Sequence, residues 1–202
     1  MNSTALTLAL AMFFAPLSAS AASTVPQLRL SLSTHQQRSL SAKSWRIPVL
    51  QFDVSTRKPA DVRSLFFAVE GKSRRGKTLE GAFTSVLDQA ELYHAATGRK
   101  VQAVIADERV RDASRFVALR FDDVIMEDNQ QWQLRLRLNS SARIDWLRAS
   151  ACGSMAEGRD PCVSSDGGSQ FQPWVQDMQT GNDMVVSPTL LEGKPVVLRG
   201  VR

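Results

Sequence analysis

Residues 79–98 read LEGAFTSVLDQAELYHAATG, and the class of the chain turns on whether this stretch is a helix or a strand. Leu79, Ala82, Phe83, Val86, Leu87, Ala90 and Tyr93 recur at intervals of three and four, the spacing of one helix face. Thr78 can serve as N-cap, Glu80 suits a first turn, and Gly98 stands where a helix often stops in a left-handed residue. The spacing predicts a helix over 79–97 with one face turned inward.

Upstream, SLFFAV at 64–69 is a continuous apolar run of strand length, buried on both faces if extended. STRKPADV at 55–62 reads as a turn. WRIPVLQFDV at 45–54 is a strand candidate, placed toward a sheet edge by Pro48, which cannot donate to a ladder. The polar 34–44 stretch reads as loop. In QLRLSLS at 27–33, Leu28, Leu30 and Leu32 alternate with Gln27, Arg29 and Ser31, a strand pattern.

Downstream, 101–106 (VQAVIA) is a strand candidate. Val117, Leu119 and Phe121 alternate with Ala118, Arg120 and Asp122 within a strand over 115–126. After the turn residues of 127–130, Trp132, Leu134, Leu136 and Leu138 alternate with Gln133, Arg135 and Arg137. The two segments read as an antiparallel hairpin. Ser140 can cap a short helix over 141–150 with Ile144 and Leu147 inward. Two late strands, 184–187 and 195–201, follow a loop-rich stretch. The expected class is α+β: a mostly antiparallel sheet of about five strands, with one long helix on one face and a loop-rich C-terminal part.

With 202 residues, 43% of them hydrophobic and 22% charged, the chain has the composition of a globular protein. Residues 3–21, STALTLALAMFFAPLSASA, form an uncharged run closing on an Ala-Ser-Ala site, as in a secretory signal. Its apolar stretch of about 13 residues is short of the roughly 20 that span a bilayer. The expected organisation is a signal over 1–21, a flexible segment with a short strand over 22–44, and a single domain over 45–202. No integral span is expected after cleavage, and the expected location is periplasmic or secreted. In that oxidising setting Cys152 and Cys162 read as one disulfide closing a nine-residue loop, worth roughly 2.5–3 kcal/mol if unstrained. Their separation is wider than the C-x-x-C of redox-active pairs.

Charge is concentrated. Residues 57–77 hold seven basic side chains (Arg57, Lys58, Arg63, Lys72, Arg74, Arg75, Lys77) against Asp61 and Glu70, and the rest of the chain is balanced. Such a cluster attracts anions. Within it, 71–78 (GKSRRGKT) matches G-x-x-x-x-G-K-[ST], the phosphate-cradling loop of P-loop NTPases. That resemblance implies Lys77 on the β and γ phosphates, Thr78 and Asp107 on Mg²⁺, and Glu108 positioning water. Against it stand an exported chain without ATP and a hairpin where crossover helices are needed.

Two cysteines and two histidines supply neither a zinc site nor a Ser-His-Asp triad. The acids Asp122, Asp123, Glu127 and Asp128 flank a turn, where solvated carboxylates are ordinary. The sequence therefore points to an exported, non-enzymatic binding or structural protein of a bacterial-type envelope. It would engage an anionic surface or another protein through Lys72, Arg74, Arg75, Lys77 and Thr78, with no cofactor and no metal. Nucleic acid is disfavoured as partner, since the chain would meet it only outside the cytoplasm. The alternative is the P-loop nucleotide-binding protein.

Overall fold

The computed structural model describes residues 25–34, 36, 39–41, 46–72, 82–111, 114–139, 144–152, 171–188 and 191–199. Over these residues the chain forms fourteen strands: β1 (Gln27–Leu32), β2 (Ser39–Ser41), β3 (Ile47–Thr56), β4 (Ala60–Lys72), β5 (Leu87–His94), β6 (Lys100–Gln102), β7 (Val104–Arg111), β8 (Ser114–Phe121), β9 (Val124–Met126), β10 (Gln131–Leu138), β11 (Trp146–Ala151), β12 (Trp174–Asp177), β13 (Val185–Pro188) and β14 (Val196–Arg199). One 3-10 turn, Phe83–Ser85, precedes β5, and no α-helix occurs among the described residues.

The expectation of α+β with a long helix over 79–97 is therefore overturned. Ala82 is extended, with φ −71° and ψ 140°, and Leu87–His94 is a strand. Its partner is the alternating segment downstream: His94, Leu92, Ala90 and Leu87 lie opposite Trp132, Leu134, Leu136 and Leu138 of β10. The helical spacing has a local cause. Arg137 faces Gln89 but Leu138 faces Leu87, so Asp88 is an extra residue in β5. Such a bulge moves Leu87 onto the face of Ala90 and Leu92. A three-residue step between buried side chains, the signature of a helix, arises here from an interrupted strand. Gly98 does have the left-handed backbone expected of it, at φ 72°, but it closes the β5–β6 hairpin, donating its N–H to His94 O at 3.0 Å.

Two sheets pack face to face. One has the order β13-β1-β3-β10-β5-β6; the other has the order β2-β14-β11-β4-β8-β7, with β9 and β12 also paired to β4. Strand β4 is the axis of the second sheet. Its first half lies between β12 and β9, and its second half between β11 and β8. Phe52 of the first sheet meets Phe67 of the second at 5.6 Å between ring centroids, and Phe121 packs edge-on against Phe67 at 5.9 Å. Leu28, Leu30, Leu134, Leu119 and Leu147, all fully buried, extend the same core.

Three further expectations change. The segments over 115–126 and 132–138 are not a hairpin, because β8 and β9 pair with β4 while β10 pairs with β3 and β5. Asp123 and Asn129, at φ 55° and 60°, are the irregular residues of the chain between β8 and β10, which passes from one sheet to the other. The short helix over 141–150 is absent from its described part, where Trp146–Ala151 is a strand between β4 and β14. Pro48 sits in a strand that pairs on both sides, but at the end that projects beyond β1; opposite it, a register shift in the β3–β10 ladder accommodates the missing donor.

The expected disulfide falls on Cys162, which lies outside the described residues; no disulfide joins described residues, and Cys152 is not a free thiol. Cys152 is buried with Ala68, and Phe66 and Phe171 pack against the two; its backbone N–H donates to Phe66 O at 3.0 Å.

Candidate cationic cleft

Of the five side chains singled out for anion binding, only Lys72 lies among the described residues; Arg74, Arg75, Lys77 and Thr78 lie outside them. Lys72 ends β4 beside Glu70, with Nζ 3.4 Å from the carboxylate and 5.5 Å from the centre of the Trp146 ring. Arg148 holds the same buried Glu70 at 2.6 Å and reaches Glu192 at 2.5 Å. Lys72 is thus part of a charge cluster with its own acids. Other cations of the 57–77 stretch are also engaged: Arg63 with Asp61 at 2.8 Å, and Lys58 with Asp177 at 2.8 Å.

The residues that the P-loop resemblance would assign to metal and water have structural work. Both oxygens of the Glu108 carboxylate bind the 3-10 turn, taking the N–H groups of Phe83 and Thr84 and the Thr84 hydroxyl. Asp107 Oδ1 accepts the N–H of Glu108 at 2.8 Å. The strand before the motif is antiparallel to both neighbours, and beyond it the extended Ala82 and a single 3-10 turn replace the helix whose N-terminus the motif needs.

The acids near 122–128 are likewise committed. Asp122 pairs with Arg120 at 3.0 Å, and Glu127 accepts from Gln130 at 3.3 Å. His94 stacks on Trp132 at 5.0 Å, with Nδ1 2.8 Å from Thr97 Oγ1. Arg120 stands in one sheet, and Arg135 and Arg137 in the other, so the three form no single basic row. Arg135 lies over the Tyr93 ring at 3.4 Å, and Arg137 pairs with Asp88 at 3.3 Å. Next to Tyr93, the buried Glu91 is 3.1 Å from Arg46, yet neither group is aligned for a hydrogen bond, so their attraction is Coulombic. No group of three or more metal-ligating side chains occurs among the described residues, nor a helix long and apolar enough to cross a membrane.

A concave surface lies elsewhere among the described residues. Val25, Pro26, Gln27, Arg29, Ser55, Thr56, Arg57, Lys58 and Asp128 line an open cleft of about 860 Å³ where β1 runs beside the end of β3. Its floor follows from strand pairing. Arg29 lies opposite Ser55, and Arg57 stands two residues past Ser55, just beyond the end of β3. Both arginines line the cleft.

The turn carrying Arg57 is fixed at four points. Thr56 N–H donates to Asp128 Oδ1 at 3.0 Å, and Thr56 Oγ1 donates to Lys58 O at 2.7 Å. Lys58 Nζ donates to Asp177 Oδ2 at 2.8 Å, and Met178 N–H donates to Pro59 O at 3.0 Å. Asp177 is buried and takes the Gln179 N–H as well, at 2.8 Å; these partners, Lys58 foremost, hold its carboxyl at about 2, below the usual 3.8. Arg29 and Arg57 are exposed, and neither has an ion pair among the described residues. Arg29 had been legible only as a polar position in β1; the pairing that brings it to Arg57 joins segments more than twenty residues apart and leaves no local signal.

No protein-family model matches the chain, and neither a curated protein nor a solved structure matches it.

Proposed function

We propose that the protein is an exported, non-enzymatic binding or structural domain of a bacterial-type envelope, periplasmic or secreted, that engages an anionic partner through the basic stretch 57–77. The leader-like run at 3–21 supports export. The observation that carries the anionic partner is Arg57: it opens the basic stretch on a turn fixed by four hydrogen bonds, and it is exposed with no ion pair among the described residues. A cation held in place this way loses little freedom on meeting an anion. Lys58, Arg63 and Lys72 are tied to acids of the domain, so the partner would be met by Arg57 and by the cations at 74–77. The nucleotide-hydrolase alternative gains no support from the 3-10 turn at Phe83–Ser85, nor from a Glu108 engaged by that turn.

The test is retention of the purified protein on immobilised long-chain polyphosphate as NaCl is raised, beside a titration with ATP and Mg²⁺. Retention that fails steadily with salt supports the proposal. Absence of retention at low salt, or tight Mg²⁺-dependent ATP binding lost in Lys77→Ala, would overturn it.

A further inference from the structure

We infer that Arg29 and Arg57 together form a binding site for a phosphate group in the cleft between β1 and the β3–β4 turn. The inference rests on the anion-binding proposal and gives it a place other than the 71–78 loop. Two observations carry it. Two exposed guanidinium groups, neither with an ion pair among the described residues, line one cleft: Arg29 opposite the exposed Ser55, and Arg57 two residues past Ser55 on the β3–β4 turn. Like charges so placed repel each other until an anion lies between them. A phosphate offers several acceptor oxygens and up to two charges, and guanidinium forks bind such oxygens in pairs. Of the other charges of the cleft, Lys58 is paired with Asp177 at 2.8 Å, while Asp128, whose oxygens accept from Thr56 N–H at 3.0 Å and Asn129 Nδ2 at 2.8 Å, keeps one negative charge against the two of the arginines.

The second observation is the rim. Val25 lines the cleft and is exposed. Exposed Val185 is tied to Pro26 by its N–H, and exposed Met178 is tied to Pro59 in the same way. A phosphate bearing an apolar group would cover Val25; a free phosphate ester would use the arginines alone. The recognised chemistry is the same in both cases, and the source is open to measurement.

The experiment uses the purified protein, Arg29→Gln, Arg57→Gln, their double variant, and a loop variant Arg74→Gln/Arg75→Gln, each checked for an unchanged melting temperature. Binding is followed by calorimetric titration with glycerol 3-phosphate and by co-sedimentation with vesicles of phosphatidylcholine, with or without about one third phosphatidylglycerol. The site predicts that each cleft substitution weakens binding about tenfold, as for loss of a hydrogen bond to a charged group, with little change in the loop variant. Binding of glycerol 3-phosphate identifies a soluble ester as sufficient; binding only to phosphatidylglycerol vesicles identifies a lipid headgroup. Both support the site. Anion binding that survives in the cleft double variant and is lost in the loop variant would overturn the site and leave the anionic-partner proposal standing. No binding of any phosphate or polyanion would overturn both.

Discussion

At the residue scale, Asp177 and Gly193 show how much of the fold's geometry depends on single positions. The Asp177 carboxyl, at about 2, binds protons less readily in the folded state than at its ordinary 3.8. Its contribution to stability is therefore complete above the ordinary value and is lost as pH falls from about 4 through 2. Asp177→Asn should lower the melting temperature at pH 7 and flatten its decline between pH 5 and 2, the two proteins converging near pH 2. Parallel declines in thermal melts would contradict this assignment. Gly193 has a different constraint: a Cβ there would lie 3.0 Å from both Leu50 Cδ1 and Val49 O, and 3.1 Å from Ala149 O. Two of these three atoms are backbone and cannot step aside, and they belong to opposite sheets. Gly193→Ala should cost about 1–3 kcal/mol in urea unfolding. Neither role was legible beforehand. Lys58 and Asp177 are far apart in sequence, and a glycine in an irregular stretch looks like any other.

At the scale of the element, 79–98 and 27–33 behaved differently for a physical reason. The alternation of Leu28, Leu30 and Leu32 has no interruption, and a strand forms there. In 79–97 a bulge at Asp88 and a 3-10 turn at Phe83–Ser85 break the two-residue period, so the buried positions Phe83, Leu87 and Ala90 fall at helical intervals. What distinguishes the alternatives is β10, whose Trp132, Leu134 and Leu136 require an equally apolar row beside them, and cross-strand demand outweighs local propensity. Deleting Asp88 should restore simple alternation while leaving Leu87 opposite Leu138 and facing the core, so the deletion should cost less than about 1 kcal/mol in chemical denaturation. A loss of about 1.5–3 kcal/mol, the worth of burying one leucine, would contradict the bulge assignment. The cluster at 57–77 was visible as charge, but the pairing of its members with Asp177, Asp61 and Glu70 was not, because acids reach these cations across strands.

For the whole molecule, two sheets share one core centred on Phe52, Phe67 and Phe121. Phe67→Ala should cost about 3–5 kcal/mol, loosening both sheets in a single unfolding transition. Because Lys58, Arg63 and Lys72 of the basic stretch are paired with acids in place, the positive character of the cleft is expected to act through few contacts. If Arg29 and Arg57 clasp one phosphate, affinity for glycerol 3-phosphate should weaken only severalfold between about 50 and 200 mM salt by ordinary screening, far less than a broad basic face on a polyanion would show. A much steeper dependence would indicate that the 71–78 loop contributes most of the charge.

The most direct measurement is a two-dimensional NMR titration of the ¹⁵N-labelled protein with glycerol 3-phosphate, following backbone amides and arginine Nε–H groups. Saturable shifts at Arg29, Ser55 and Arg57, with the strands of the core unmoved, are predicted. Shifts confined to residues 71–78, or none at millimolar ligand, would contradict a phosphate site in the cleft.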